Sequence, residues 1–254
     1  AVEGLRDGRR IALLGEAARA AGKPVVVLKL GRGEAGAAAA VSHTGSLAGS
    51  AAAWSAAFKR AGMVEVEDFD ALLETASLFA KAPKPTAKGV AIVTPSGGAG
   101  IMAADHAEAL GLPMPQPLPA TEAVLRSSIP DFGAPRNPCD LTAQVAANPQ
   151  MFDACMEAML SDPQYGCLVV PQVYSHFQTT VGRMEQLRPY AAKFGKPLII
   201  AWIPEQLEGP GACHAESVPE LILFRSMRRL MQGIRLWHDY HDRVEEAPPA
   251  PPAG

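Results

Sequence analysis

The sequence predicts an α/β protein made of two doubly wound parallel-sheet units, the first incomplete at its N-terminus. Three observations carry this. Short apolar runs alternate with longer stretches of helical apolar spacing, the βα rhythm that lays helices on both faces of a parallel sheet. The 254 residues are 48% hydrophobic but only 6% aromatic, so the core is built of Ala, Val, Leu and Ile in close layers. A polar, proline-broken segment from Lys81 to Lys88 separates one set of runs from the next. The expected organisation is therefore a first unit over 1–82, a second over 83–243, and a Pro/Ala-rich linker over 244–254.

Arg9 to Ala21 has helical composition, and Gly22-Lys23-Pro24 ends it. Val25 to Leu30 is a short apolar run, β-branched at its start, as in a strand buried on both faces. A mobile Gly/Ala loop is expected next, followed by a helix from about Ser46 to Arg60 and a short strand at Val64 to Val66. Phe69, Leu72, Leu73, Ala76 and Phe79 then recur at three-four spacing, which predicts a helix over Phe69 to Ala80.

The second unit opens with a strand at Gly89 to Thr94. Helices are expected near Gly98 to Leu110, Thr121 to Ser127 and Gln150 to Leu160. Cys167 to Val173 reads as a strand, Thr179 to Phe194 as a helix closed by Gly195, and Pro197 to Ile203 as another strand. Leu221 to Phe224 is a short last strand. The final helix, from Ser226, sets Met227, Leu230, Met231, Ile234 and Trp237 on one face. Glu245 onward is proline-rich and carries no core-forming residues.

A net charge of −3 offers no electrostatic reason to expect nucleic acid or an anionic membrane as partner. The uncharged stretch from Ala35 to Phe58 is long enough to span a bilayer, but its Ala, Gly and Ser content is too polar for a membrane helix. Cys139, Cys155, Cys167 and Cys213 are scattered without a C-x-x-C pair, so they read as reduced thiols of a cytoplasmic protein. His106, His176, His214, His238 and His241 have no paired ligand spacing, and no metal site is expected. The chain starts at Ala1 without Met and no secretory signal is present, which reads as a piece of a longer polypeptide.

Chemistry concentrates in Ser42-His43-Thr44-Gly45-Ser46-Leu47-Ala48-Gly49. A lone histidine among small, uncharged residues suits covalent carriage of a phosphoryl group, because neutral imidazole is a competent nucleophile near pH 7. The competing reading makes Ser42 or Thr44 the N-cap of the following helix, and spacing alone favours it. Thr94-Pro95-Ser96-Gly97-Gly98-Ala99-Gly100 joins a strand to a helix, where free amides of the first turn meet an anion or simply make a tight turn. Gly31-Arg32-Gly33-Glu34-Ala35-Gly36 matches a dinucleotide fingerprint. No acid lies between Glu34 and Glu65 to hold a ribose, so nicotinamide binding is discounted. A serine nucleophile at Ser96 fails because Thr94 stands where the strand-to-helix elbow needs glycine.

Lys23 to Gly36, Ser42 to Gly49 and Ala57 to Gly62, in that order, resemble the acyl-CoA synthetases of the NDP-forming type, relatives of succinyl-CoA synthetase. The resemblance implies two flavodoxin-like domains and an acid–thiol ligase that makes acyl-CoA from a carboxylic acid, CoA and ATP, with ADP and phosphate as products. It makes His43 the phosphorylated histidine. Glu3, in Glu3-Gly4, becomes the partner of the other ring nitrogen, against the alternative of a solvated terminal glutamate. Ser96, Gly97, Gly98, Ala99 and Gly100 become a phosphate-facing power helix. Thr44 and Gly45 belong to the histidine loop. Asn137 and Asp140, in Asn137-Pro138-Cys139-Asp140-Leu141, orient a loop near the site or form an Asx turn before proline. ATP/ADP with Mg2+ and CoA are the implied cofactors, bound mainly by CoA-binding and ATP-grasp domains outside this chain, in an oligomer. The acid stays open between short-chain, branched and aryl types such as a hydroxycinnamate. A non-catalytic acyl-CoA-binding regulator of the same fold is the alternative function.

Overall fold

The computed structural model describes residues 1–5, 7–44, 50–146, 148–175, 177–204, 206 and 208–246. They form two compact units, Ala1–Ala76 with the chain from Leu236 onward, and Ser77–Arg235.

In the first unit, β1 (Val26–Leu28) and β2 (Val64–Val66) pair in parallel, Val26 opposite Val64 and Leu28 opposite Val66. On the other edge of β1, Val2 bridges in parallel to Lys29. Its N–H donates to the Leu28 carbonyl at 2.8 Å and its carbonyl accepts from Leu30 N–H at 2.9 Å. The first residues thus act as a strand and deliver Glu3 to the carboxyl edge of this small sheet. The helices α1 (Arg9–Ala20), α2 (Glu34–Thr44) and α3 (Ala51–Arg60) follow the predicted alternation, and Ile11, Val27, Trp54, Phe58, Ala61 and Met63 form the core. Gly15 lets α1 rest on the end of α3, since a Cβ there would come within 2.3 Å of the Ala61 carbonyl oxygen.

α4 (Phe69–Lys81) leads into the second unit, whose five-stranded sheet is parallel throughout. Its strands are β3 (Gly89–Thr94), β4 (Cys139–Asp140), β5 (Tyr165–Gln172), β6 (Leu198–Trp202) and β7 (Leu221–Phe224), in the spatial order β4-β3-β5-β6-β7. Counted within the unit this is 2-1-3-4-5, the flavodoxin-like order, which reverses direction at β3. Every residue of β3, β5, β6 and β7 is buried, as expected of strands covered on both faces. The helices are α5 (Gly97–Ala109), α6 (Pro119–Ser128), α7 (Pro149–Ser161), α8 (Phe177–Phe194), α9 (Pro210–Ser217) and α10 (Met227–Glu246).

Three expectations need correction. The Gly/Ala stretch is not a loop but α2, because Ala35 and Ala37 to Ala40 are the strongest helix formers and Glu34 favours the first turn. The N-cap of α3 is Ser50, whose Oγ accepts from Ala53 N–H at 3.2 Å, rather than Ser42 or Thr44, which close α2. The proposed helix start at Ser46 lies outside the described residues, as do His176 and most of the Pro/Ala-rich tail. The tail's first residues, Val244 to Glu246, still belong to α10. Three elements escaped the sequence reading altogether, one of them a single 3-10 turn over Ala143–Ala146. α9 is short and glycine-led, and β4 has two residues, too few for any periodicity to register.

Candidate functional site

His43 lies in the last turn of α2 and Glu3 immediately follows the bridging Val2. Forty residues apart in sequence, they meet through Nδ1 and Oε2 at 2.9 Å. An ionised carboxylate only accepts, so Nδ1 carries the proton and the lone pair is left on Nε2. The imidazole is exposed, with 76% of its side-chain surface accessible against 30% for Glu3. The hydrogen bond from Glu3, and then its charge, raise the His43 pKa above the ordinary value, while slight desolvation opposes them. The carbonyl end of α2 adds partial negative charge beside the ring. The arrangement makes Nε2 more basic and stabilises positive charge on the ring as a bond forms there.

Sequence reasoning missed Lys29, absorbed into the apolar strand run. It is 2% exposed, and its Nζ donates to the Glu3 carbonyl at 2.8 Å and to the Leu30 carbonyl, 5.0 Å above the Trp54 ring. Burial first, then the charge of Arg32, hold its pKa below the ordinary lysine value, with the Glu3 carboxylate opposing. A single lysine inside an otherwise buried apolar run was the signal available, since such a charge persists only where carbonyls meet it. Thr44 is the last residue of α2, and Gly45 lies outside the described residues.

The second cluster sits in the other unit, after β3, where the strand order reverses and α/β sheets open a ligand crevice. Ser96 caps α5, its Oγ accepting from Ala99 N–H at 3.4 Å and its carbonyl from Gly100 N–H at 3.1 Å. The Thr94 hydroxyl fixes the turn, donating to the Ser96 carbonyl and accepting from Ser96 N–H, each at 3.1 Å. Of the expected phosphate-facing amides, Ala99 and Gly100 are therefore already engaged. Gly97 and Gly98 remain without acceptors among the described residues, as the first turn of a helix requires. The glycines differ in purpose. A Cβ at Gly100 would press on Pro138 and Thr94, one at Gly97 would come 2.9 Å from Asp140 Oδ2, and one at Gly98 would meet nothing within 4 Å.

Asp140 Oδ1 accepts from Thr142 N–H at 2.9 Å, and Thr142 takes the left-handed φ of 61°. The carboxylate flanks Gly97 and disfavours anions on that side, which leaves Gly98 the better donor. Asn137 is 4% exposed and wholly occupied by backbone. Its Oδ1 accepts from Ile92 N–H at 3.0 Å, and its Nδ2 donates to the carbonyls of Val90 at 2.8 Å and Pro115 at 3.1 Å. It ties the Asp140 loop to β3 from inside and presents nothing to a ligand.

Residues 1–79 match the Succinyl-CoA ligase like flavodoxin domain, and residues 90–185 match the Ligase-CoA domain. The chain therefore carries a succinyl-CoA ligase-like flavodoxin domain followed by a Ligase-CoA domain. Subunit alpha of ADP-forming acetate–CoA ligase I from Pyrococcus furiosus is 37% identical to this chain over 171 residues, covering 66% of it and 36% of the relative. Trans-feruloyl-CoA synthase from an unknown prokaryotic organism is 27% identical over 206 residues, 80% of this chain and 29% of the relative. The chain thus spans about a third of the length of these curated relatives. Its fold is that of the dinucleotide-forming acetyl-coenzyme A synthetase 1 of Candidatus Korarchaeum cryptofilum, solved with phosphate and ADP. The TM-score is 0.79 at 23% identity, over 96% of this chain and 53% of that one.

Proposed function

We propose that the chain is the phosphoryl-carrying part of an ADP-forming acyl-CoA ligase, and that His43 is the carrier. The carrying observation is the 2.9 Å contact between Glu3 and His43 Nδ1 on an exposed imidazole. Nε2 attacks the γ-phosphorus of ATP, an N–P bond forms, the bond to ADP breaks, and Glu3 balances the charge gained by the ring. A carboxylate oxygen of the acid then attacks that phosphorus, the N–P bond breaks, and the lone pair returns to Nε2 with an acyl phosphate formed. The CoA thiolate attacks the acyl carbon and phosphate leaves. The Gly97 and Gly98 amides of α5 supply donors for phosphoryl oxygens, strengthened by the helix dipole.

Among the described residues no group of three His, Cys, Asp or Glu converges as a metal-holding set, so no step is routed through Mg2+ on this chain. ATP, Mg2+ and CoA fall to CoA-binding and ATP-grasp domains of the same enzyme, on a separate segment or chain. The relatives' names span acetate and feruloyl chemistry, so the acid is assigned only as a carboxylate. Among the described residues no helix is long and apolar enough to cross a membrane. The four cysteines are free thiols, three of them buried, which supports a reducing, cytoplasmic setting.

The test combines the chain with an ATP-grasp domain of its enzyme, Mg2+ and γ-labelled ATP. Acid-labile, base-stable label that disappears in His43→Asn and is discharged by carboxylic acid plus CoA is the expected result. A folded, ATP-binding assembly that takes up no label would overturn the carrier role and leave a non-catalytic acyl-CoA-binding module.

A further inference from the structure

The amino-terminal edge of the first unit's sheet carries a cavity of about 380 Å³. Val25 and Met63, the residues just before β1 and β2, line it, whereas Glu3, Lys29 and His43 belong to the carboxyl edge. Five cations converge on it: Arg19, Lys23, Lys59, Arg60 and Arg243, with Tyr240 between them and no Asp or Glu in the lining. None of the five has an ion pair or side-chain hydrogen bond among the described residues, and Arg243 Nε is buried without a partner. Two arginines elsewhere on this unit are paired, Arg9 with Asp7 at 3.0 Å and Arg32 with Glu65 at 3.1 Å.

Helix ends explain part of this charge but not all of it. Arg19 lies in the last turn of α1, Lys59 and Arg60 in that of α3, and Arg243 in that of α10. Three helix ends bring roughly 1.5 negative charges between them, against five cations. The remainder repels itself unless an anion enters. We infer that this cavity binds a phosphorylated small molecule carrying at least two negative charges, at a site separate from His43. Its volume suits a ligand of nucleotide size, with Tyr240 and Met63 as the apolar wall and the guanidinium forks of Arg243 and Arg60 toward phosphate oxygens.

Titration calorimetry of the 254-residue chain with inorganic pyrophosphate, and separately with ADP, tests this. Saturable binding of either probe at one site per chain is expected, weakened about tenfold by Arg243→Gln and again by Lys59→Gln. His43→Asn and Gly98→Pro should bind as the parent does, which keeps this site distinct from the phosphoryl-transfer groups. Circular dichroism on each variant verifies that the charges, and not the fold, have been removed. Absence of saturable binding below roughly 1 mM, a range set by the affinity of isolated charge contacts, overturns the inference. So does binding that Gly98→Pro abolishes and Arg243→Gln leaves unchanged.

Discussion

Lys29 is joined to Glu3 through the backbone: its Nζ donates to the Glu3 carbonyl at 2.8 Å, while the Glu3 carboxylate turns to His43 at 2.9 Å. The buried ammonium thus fixes the residue whose side chain orients the His43 ring, without neutralising it by direct pairing. Loss of this lysine should loosen a hydrogen bond it does not make. Lys29→Met leaves two carbonyls without their donor, and a destabilisation of about 1–3 kcal/mol is expected in urea melts. Phosphorylation of His43 should slow as well, while Lys29→Arg restores part of it.

Glu3→Gln keeps the shape of the acceptor but removes its charge. The His43 pKa then falls toward the ordinary value, and nitrogen or proton NMR titration of the ring reads this directly. Labelling by ATP should drop about ten- to hundredfold, the usual cost of losing an orienting carboxylate. Only the neutral ring attacks, so the parent rate rises as pH passes the raised pKa, and in Glu3→Gln that rise moves to lower pH. The pair's contribution to folding has the opposite sense. It is fully present below the ordinary histidine pKa and fades as pH rises through the higher folded value.

Substitutions at Gly98 separate the proposed anion binding from folding. A Cβ there meets nothing within 4 Å, so Gly98→Ala should be neutral or stabilising by up to about 1 kcal/mol and should retain phosphoryl transfer. Gly98→Pro keeps a first-turn position that tolerates proline but deletes the free N–H. Its melting temperature should stay close to the parent's while discharge of labelled His43 slows about tenfold or more. Equal discharge rates in the two variants would remove α5 from the mechanism.

Asn137 and Asp140 should part company under mutation although they are only three positions apart. Asn137→Ala strands the Ile92 N–H and the Val90 and Pro115 carbonyls, at about 1–3 kcal/mol for each buried group left unpaired, and denaturant melts should show it. Asp140→Asn retains an acceptor for Thr142 N–H and removes charge beside Gly97. It should leave stability within about 0.5 kcal/mol and shift the concentration of phosphate needed to compete with the phosphoryl group at α5.

Lys81 closes α4 by donating to the Val218 carbonyl at 2.9 Å and the Leu221 carbonyl at 2.8 Å. Lys81→Met should cost about 1–3 kcal/mol in stability without altering His43 labelling, a control for the effects at Lys29.

The amino-acid sequence by itself determined the alternation of strands and helices and the two-unit plan, and it singled out the residues proposed to carry the chemistry. These properties are local. Apolar spacing, helix propensity and a histidine among small residues are all legible within a window of about ten positions. The error over α2 shows the same limit from the other side, since Gly31 and Gly33 suggested a loop where the alanines between Glu34 and Val41 prevailed. Only the tertiary structure decided which groups meet. Glu3 reaches His43 because Val2 pairs with Lys29 across a parallel bridge, and Asn137 is spent on Val90 and Ile92, more than forty residues away. Parallel pairing joins segments through long crossovers, so neither the buried role of Lys29 nor the convergence of cations at the amino-terminal edge of β1 is written in any local pattern.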